Sequence, residues 1–164
     1  MRNPRSIQTI PLQQPIDVNG LAGDAFTSTF KMNLVEHASV QFRFGIVVAD
    51  FTITFEQDTD IAGSSADKPL LINDYFVNDT SVTPDDNWIK VKPSPKVNVF
   101  NFGSSESLTN FKFEISSGDL DTNNNYDIVK VTLALASATA CLASVHADLH
   151  RLRYNHDQPP SATS

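Results

Sequence analysis

The sequence predicts an all-β protein, an antiparallel β-sandwich of the jelly-roll type with an extended N-terminal arm. Apolar and polar residues alternate in several short segments, turn-forming residues separate these segments, and no long amphipathic helix pattern lies between them. Short alternating strands joined by turns are typical of sandwiches and barrels, and about eight strands suit a jelly roll.

The predicted strands carry β-branched or aromatic residues at every second position, the pattern of a strand buried on one face. The connectors AGSSADKP, VTPDDN, KPSPK and FGSSESLTN are rich in residues that favour turns. The side chains predicted to face the core are Val40, Phe42, Phe44 and Ile46; Phe51, Ile53 and Phe55; Ile89 and Val91; Phe111, Phe113 and Ile115; and Val129, Val131, Leu133 and Leu135.

The last apolar segment, over residues 139–154, fits two kinds of element. Its alanine content favours a helix. Its alternation from Cys141 to Leu149, next to another predicted strand, favours a strand. Both interpretations stay open at this point, with a strand as the expectation.

Composition divides the chain into three parts: an extended arm over residues 1–20, a sandwich domain over 21–154 and a disordered tail over 155–164. Prolines in the first part disfavour a helix. Its apolar side chains predict that the arm lies along a surface, which can be that of a neighbouring molecule. These side chains are Ile7, Ile10, Leu12 and Ile16.

Charge and cysteine content narrow the classes of function. The 164 residues carry a net charge of -7, which argues against nucleic-acid binding, and only Arg151 and Arg153 lie close together at the far end. Cys141 is the one cysteine, so no internal disulfide can form. We expect a soluble protein, since neither a signal peptide nor a membrane-spanning apolar stretch is apparent.

The segment SGDLDTNNNYDIVKV begins like a calcium loop, with Asp119, Asp121 and Asn123 at alternate positions. Asn124 stands where an EF-hand needs glycine, and Lys130 stands where it needs glutamate. We therefore predict that residues 119–127 form a tight connector shaped by Asp and Asn side chains, with a weak, irregular cation site as the alternative.

His146, Asp148 and His150 are candidate metal ligands, because alternate positions on a strand would put both imidazoles and the carboxylate on one face. The competing interpretation is an ordinary polar strand face. No nucleophile motif or glycine-rich phosphate loop occurs, so we expect no catalytic residue, no cofactor and no enzymatic activity. In NDYFVNDT, Tyr75, Phe76 and Asn78 either form a sugar-stacking surface or belong to a buried edge.

Three segments resemble a group of small virion proteins of tailed bacteriophages, over roughly Val35 to Tyr154. The first is ASVQFRFGIVVADFTITFEQDTDIAG, a strand pair followed by a turn from Gln57 to Gly63; the second is SSGDLDTNNNYDIVKVTLALAS, similar to a connector of the form LD-x-x-x-x-Y/F-D. The third is a last strand ending in Arg153-Tyr154. In that group glycine is usual where this chain has Asn125.

This resemblance implies a capsid decoration, or cement, protein that binds the major capsid protein and bridges neighbouring capsomers. Such a protein is expected to be a β-sandwich homotrimer on the capsid exterior, and to be assembled in the host cytoplasm. The resemblance also supports the connector interpretation of residues 119–127. The expected partner-binding residues are Arg2, Arg5, Ile7, Ile10, Leu12 and Ile16.

Two other functions remain open. A fibre or receptor-binding module that contacts host glycans would present an exposed aromatic surface around Tyr75 or Trp88. A cupin-like metal enzyme would require His146 and His150 to converge on an internal cavity.

Overall fold

The structure of the chain is a computed structural model. It describes residues 7–17, 23–33, 35–47, 49–62, 67–79, 88–104, 109–136, 141–152 and 162–163. Arg2, Arg5 and the Arg153-Tyr154 pair lie outside these residues, and of Ile16, Ile46 and Cys141 only the backbone is described.

The described residues form two six-stranded antiparallel sheets. The first sheet has the order β1-β11-β3-β9-β6-β7, and the second has the order β12-β2-β10-β4-β5, with β8 also paired to β4. The strands are β1 (Gln8–Asp17), β2 (Gly23–Lys31), β3 (Val35–Val47), β4 (Phe51–Asp58), β5 (Lys68–Pro69), β6 (Asp74–Asp79), β7 (Ile89–Val91), β8 (Val99–Phe102), β9 (Thr109–Ser116), β10 (Ile128–Leu135), β11 (Cys141–Leu152) and β12 (Ala162–Thr163).

The connectivity is that of a jelly roll. β1 pairs with β11, β2 with β10, β3 with β9 and β4 with β8, which is one long hairpin of eight strands. Rolling this hairpin brings β11 beside β3 and β10 beside β4, which closes the two sheets of the sandwich. β5, β6 and β7 are inserted between β4 and β8. The predicted fold class is thus confirmed.

The alternating segments are strands, and β11 is a strand rather than a helix. The prediction that Ile89 faces the core was wrong, because its side chain is 69% exposed. It lies opposite Val77 on the inward register of the first sheet, but β7 is a terminal three-residue strand. The row from Phe111 through Val77 to Ile89 therefore runs from the buried core out to solvent.

Phenylalanine side chains fill the space between the sheets. Phe113 of the first sheet lies with its ring centroid 4.8 Å from that of Phe55 and 4.9 Å from that of Phe100, both on the second sheet. Phe44 and Phe51 make a similar contact across the interface at 4.5 Å. Burying each ring contributes roughly 1.5–3 kcal/mol, so this cluster is a main source of stability.

Both ends of the chain depart from the predicted organisation. Gln8–Asp17, within the predicted arm, is a strand of the sandwich, so over these residues the chain is not a separate arm. Ala162–Thr163, within the predicted disordered tail, pairs with Phe30 and Thr29 of β2, because the open edge of β2 offers backbone partners. The described part of the chain contains no helix long and apolar enough to cross a membrane.

We predict that Phe113→Ala lowers the free energy of unfolding by about 3–5 kcal/mol, because the cavity it leaves lies between two rigid sheets. Phe76→Ala is the matched control, since Phe76 is a half-exposed phenylalanine on the neighbouring strand β6, and should cost about 1 kcal/mol or less. Urea unfolding of both variants is the measurement, and equal losses would contradict this assignment of the core.

Candidate functional site

Of the predicted partner-binding residues, the three whose side chains the structure describes, Ile7, Ile10 and Leu12, do not form one surface. Ile10 and Leu12 are 5% and 2% exposed and belong to the core of the chain itself, so they are not available to a partner. The reason is the pairing of β1 with β11, which turns alternate side chains of β1 toward the second sheet. Ile7, just before β1, is 60% exposed and is the predicted contact residue that the structure places at the surface.

β1 has the features of a protected edge strand. It is the terminal strand of the first sheet, and it contains Pro11 and Pro15, which cannot donate to a neighbouring strand. Its register with β11 shifts between Pro11 and Gln13 and again between Gln13 and Ile16. Prolines and bulges discourage another chain from adding to this edge, so contacts at this end of β1 fall to side chains such as Ile7.

His146, Asp148 and His150 lie on the outer face of the first sheet, because Val145, Ala147 and Leu149 between and beside them are buried. The histidines therefore do not converge on an internal cavity, and the arrangement that a cupin-like enzyme requires is contradicted. Within the residues that the structure describes, no three His, Cys, Asp or Glu side chains are grouped so that they could hold a metal ion.

The outer face of the first sheet is held together by polar contacts across the strands. Asp148 accepts hydrogen bonds from Thr9 Oγ1 at 2.5 Å and from Gln41 Nε2 at 2.9 Å, which ties β11 to β1 and β3. Further along, Glu114 on β9 binds His37 of β3 and lies 3.3 Å from Lys112 Nζ. His150 faces His37, with ring centroids 5.7 Å apart.

Two groups on this face have shifted pKa values. Burial alone would raise the pKa of Glu114, but the hydrogen bond and charge of His37, together with Lys112, outweigh it and hold the pKa below its ordinary value. Burial lowers the pKa of His146, and Arg43 adds to this effect while Asp148 opposes it. These pKa shifts follow from burial and from pairing across the strands. Structural networks of charged groups shift pKa values as functional sites do, so the shifts alone do not identify a functional site.

The segment that resembled a calcium loop folds as a connector between β9 and β10. Asp119 caps the turn at Ser116 and accepts a hydrogen bond from Asn73 Nδ2 at 2.8 Å. Asp121 accepts hydrogen bonds from Lys68 Nζ at 2.5 Å and from Asn124 Nδ2 at 2.9 Å. Both carboxylates are therefore used to shape the loop, as the connector interpretation predicts.

The backbone conformation at Asn125 explains why the connector can have asparagine where the resembling pattern usually has glycine. Its φ of 63° lies in the left-handed region, and its backbone N–H donates to Thr122 O. Glycine adopts this conformation at no steric cost, and asparagine adopts it more readily than other residues do. Asparagine can therefore stand at this position, where the pattern that the sequence resembles usually has glycine.

The β7 edge of the first sheet brings two aromatic residues that the sequence analysis considered, Phe76 and Trp88, together with Lys112, which it did not single out. Tyr75, for which sugar stacking and a buried edge were the two interpretations, packs against the core, with its ring centroid 5.4 Å from that of Phe113. Phe76 instead lies on the outer face, where Lys112 Nζ is 4.5 Å from its ring centroid and 5.4 Å from that of Trp88. The signal was Phe76 itself, because alternation places it opposite the core-facing Tyr75 and Val77.

We call the β7 edge of the first sheet the lysine edge; it consists of Phe76, Trp88 and Lys112 on the outer face, Ile89 on the inward register of β7, and the exposed Lys92 and Lys96 that follow β7 in the chain. Asn78, the other candidate from this segment, is buried at the end of β6.

A surface cavity of about 620 Å³ lies between the connector and the end of β2. Its wall is mainly polar and includes Lys31, Asn33, Thr59, Thr122 and Asp127. Asn33, Thr59 and Thr122 are exposed, so the cavity is an open recess beside the turns.

No protein-family profile and no curated protein sequence matches the chain. Among solved structures, it is similar to the SPBc2 prophage-derived protein YomS, with 9% identity and a TM-score of 0.46 over 92% of this chain and 97% of that one. It is also similar to the VP2 subviral particle protein of infectious bursal disease virus, with 9% identity and a TM-score of 0.28. That match covers 92% of this chain and 42% of the VP2 chain.

We predict that Asn125→Val lowers the free energy of unfolding by about 1–2 kcal/mol, because a β-branched side chain is strained at positive φ. Asn125→Gly is the control and should leave stability within about 0.5 kcal/mol of the wild type. Thermal and urea unfolding are the measurements. Equal stability of the two variants would be incompatible with a left-handed residue at this position.

We also predict that Glu114→Gln weakens the pH dependence of stability in acid. Because the pKa of Glu114 is lower in the folded chain, its ionised form stabilises the fold above the ordinary value of 4.5, and this stabilisation is lost as the pH falls through the folded pKa. The variant should be less stable at neutral pH by about 1 kcal/mol and should lose less stability below pH 4.5.

The matched control for this experiment is Glu36→Gln, which changes an exposed glutamate on β3. Unfolding titrations over the acid range would compare the three proteins. A Glu114→Gln profile parallel to that of the wild type would show that the His37 and Lys112 contacts do not depress the pKa.

Proposed function

We propose that this chain is a non-catalytic structural virion protein, a capsid decoration protein that binds an assembled phage shell and stabilises it by bridging neighbouring capsomers. Its partner is the major capsid protein, and it acts as a homo-oligomer, a trimer, on the capsid exterior. The resemblance of the sequence from Val35 to Tyr154 to small phage virion proteins supports this assignment.

The observation that carries the proposal is the filled interior of the sandwich. Phe42, Phe55 and Phe113 are completely or almost completely buried between the sheets. A jelly roll that binds a small molecule inside needs a cavity there, whereas this space is occupied by aromatic rings. The surface of the chain is therefore what remains for function, and surface binding is what a decoration protein requires.

The N-terminal residues are one part of that surface. Arg2, Arg5 and Ile7 precede β1, and Ile7 is exposed at the edge of the first sheet. The arginines can pair with carboxylates on a shell, although each exposed pair contributes only about 0–1 kcal/mol. Many copies on one shell, each held at more than one point, make such modest contacts effective.

Binding to shells that lack the protein tests this function. We predict saturable co-sedimentation of the intact chain, reduced about tenfold in affinity when residues 1–6 are deleted and Ile7 is changed to Ser. Deleting residues 1–20 would not isolate the contribution of the N-terminal residues to shell binding, because it also removes β1 and exposes the core beside β11 to solvent.

Leu71→Ser is the matched control, since Leu71 is another exposed apolar residue, 48% exposed, on a different part of the surface. It should bind shells as the wild type does. Failure of the intact protein to bind mature shells would reject the decoration function, whereas binding that survives the N-terminal change would reject only the role of these residues.

A further inference from the structure

We infer that the lysine edge is a second docking surface of this chain, and that its partner is an acidic, apolar-bearing protein surface on the capsid shell. This inference rests on the proposed function and specifies its partner chemistry. The N-terminal residues and the lysine edge would then be the two contacts by which one copy bridges two subunits of the shell.

Charge distribution is the first argument. The chain has a net charge of -7, yet the stretch from Trp88 to Phe102 contains three lysines and no aspartate or glutamate. Lys90 is paired with Asp74 at 3.0 Å. Lys92 and Lys96 are exposed, and neither forms an ion pair with any of the described residues. Local positive charge on an acidic protein favours an acidic partner.

The exposed apolar surface is the second argument. Ile89 is the most exposed of the large apolar side chains in the described part of the chain, at 69%. Trp88, the preceding residue, lies near Lys112 on the outer face, whereas Ile89 has the inward register of β7, so the terminal strand carries apolar side chains on both of its faces. Tryptophan is enriched among the energetically dominant positions of protein interfaces, and such interfaces have an apolar centre with a polar rim. A polysaccharide would use the aromatic ring and the lysines, but would gain nothing from the isoleucine.

The outer-face part of the lysine edge, Phe76, Trp88 and Lys112, is also held in place before any partner binds. Lys112 Nζ lies 4.5 Å from the ring centroid of Phe76, 5.4 Å from that of Trp88 and 3.3 Å from Glu114. Lys90 Nζ lies 5.8 Å from the same Phe76 ring. Such cation–π contacts restrain the aromatic side chains, so less conformational entropy is lost on binding.

The position of the lysine edge suits a bridging protein. β1 and β7 are the two terminal strands of the first sheet, six strands wide. With strands about 4.8 Å apart, the two edges are separated by about 24 Å. Ile7 lies beside the start of β1, where β11 ends, whereas Trp88 lies beside the end of β6. Trp88 and Ile7 are thus at diagonally opposite corners of the sheet, and Lys92 and Lys96 continue along the β7 edge toward the level of Ile72. The two surfaces lie at opposite edges of the sheet and cannot both contact one small spot.

The test compares shell binding of four variants with that of the wild type, with shells that lack the protein as the probe. Lys92→Glu combined with Lys96→Glu, and separately Ile89→Ser, should each weaken binding about tenfold or more. The affinity of the wild type for shells should fall as salt is added, and the affinity of the double variant should fall less steeply. Lys31→Glu and Glu36→Gln are the controls, since both change a charged side chain away from the lysine edge, and both should bind normally.

The substitutions change exposed side chains, and thermal unfolding would confirm that each variant is folded. Normal shell binding by both the charge-reversal and the Ile89→Ser variants overturns the inference and leaves the decoration function intact. No binding by the wild type overturns both. A wild type that binds host envelope polysaccharide through Trp88 but ignores shells also overturns it, in favour of a receptor-binding module. If the substitutions changed the oligomeric mass but not shell binding, the lysine edge would be a contact between copies of this chain, which would also overturn the inference.

Discussion

Aromatic packing between the two sheets is the constraint on which the rest of this structure depends. Rolling one long hairpin of eight strands into a sandwich brings β3 and β9 to face β4 and β8, and their phenylalanines meet in the space between. Because that space is filled, the histidines of β11 and the polar residues of β3 and β9 must project outward. The filled core thus determines the fold and decides which side chains of each strand face outward.

The outer face of the first sheet has a mainly structural role. Its hydrogen bonds and ion pairs join neighbouring strands, from Thr9 and Asp148 on one side to Glu114 and Lys112 on the other. Such contacts hold the sheet together across the strands. A protein proposed to bridge subunits needs a rigid body between its contacts, and a cross-linked sheet with one contact surface near each terminal strand meets that need.

Much of the fold could be predicted from the sequence, because a period of two in apolar residues reports directly on burial. This is why the core positions of β4, β9 and β10 were correct, and why alternation decided that β11 is a strand. The same signal failed at Ile89, since a terminal strand can keep the period of a buried strand after the facing sheet has ended. The prediction for Ile10 and Leu12 failed for another reason: it came from apolar residues in a proline-containing segment, and such a local pattern cannot distinguish packing on a neighbour from packing on the chain's own sheets.

The candidate surface was harder to predict than the fold. The lysine edge combines Phe76 of β6, Trp88 and Ile89 at β7 and Lys112 of β9, which are distant in sequence and are brought together only by strand pairing. By contrast, the connector could be predicted, because residues 119–127 act locally and the chemistry of Asp and Asn in turns is visible in the sequence. Even there, the left-handed conformation of Asn125 became evident only in the structure.

The central claim is that one copy holds a shell at two opposite edges of the same sheet. The most direct measurement is amide hydrogen exchange of the chain bound to assembled shells, compared with the free chain. Our account expects added protection in two separate segments, one beginning at the N-terminus and running into β1 and one around residues 88–97, with the buried strands β4 and β10 unchanged. Protection confined to a single segment, or found instead at the connector, would contradict it.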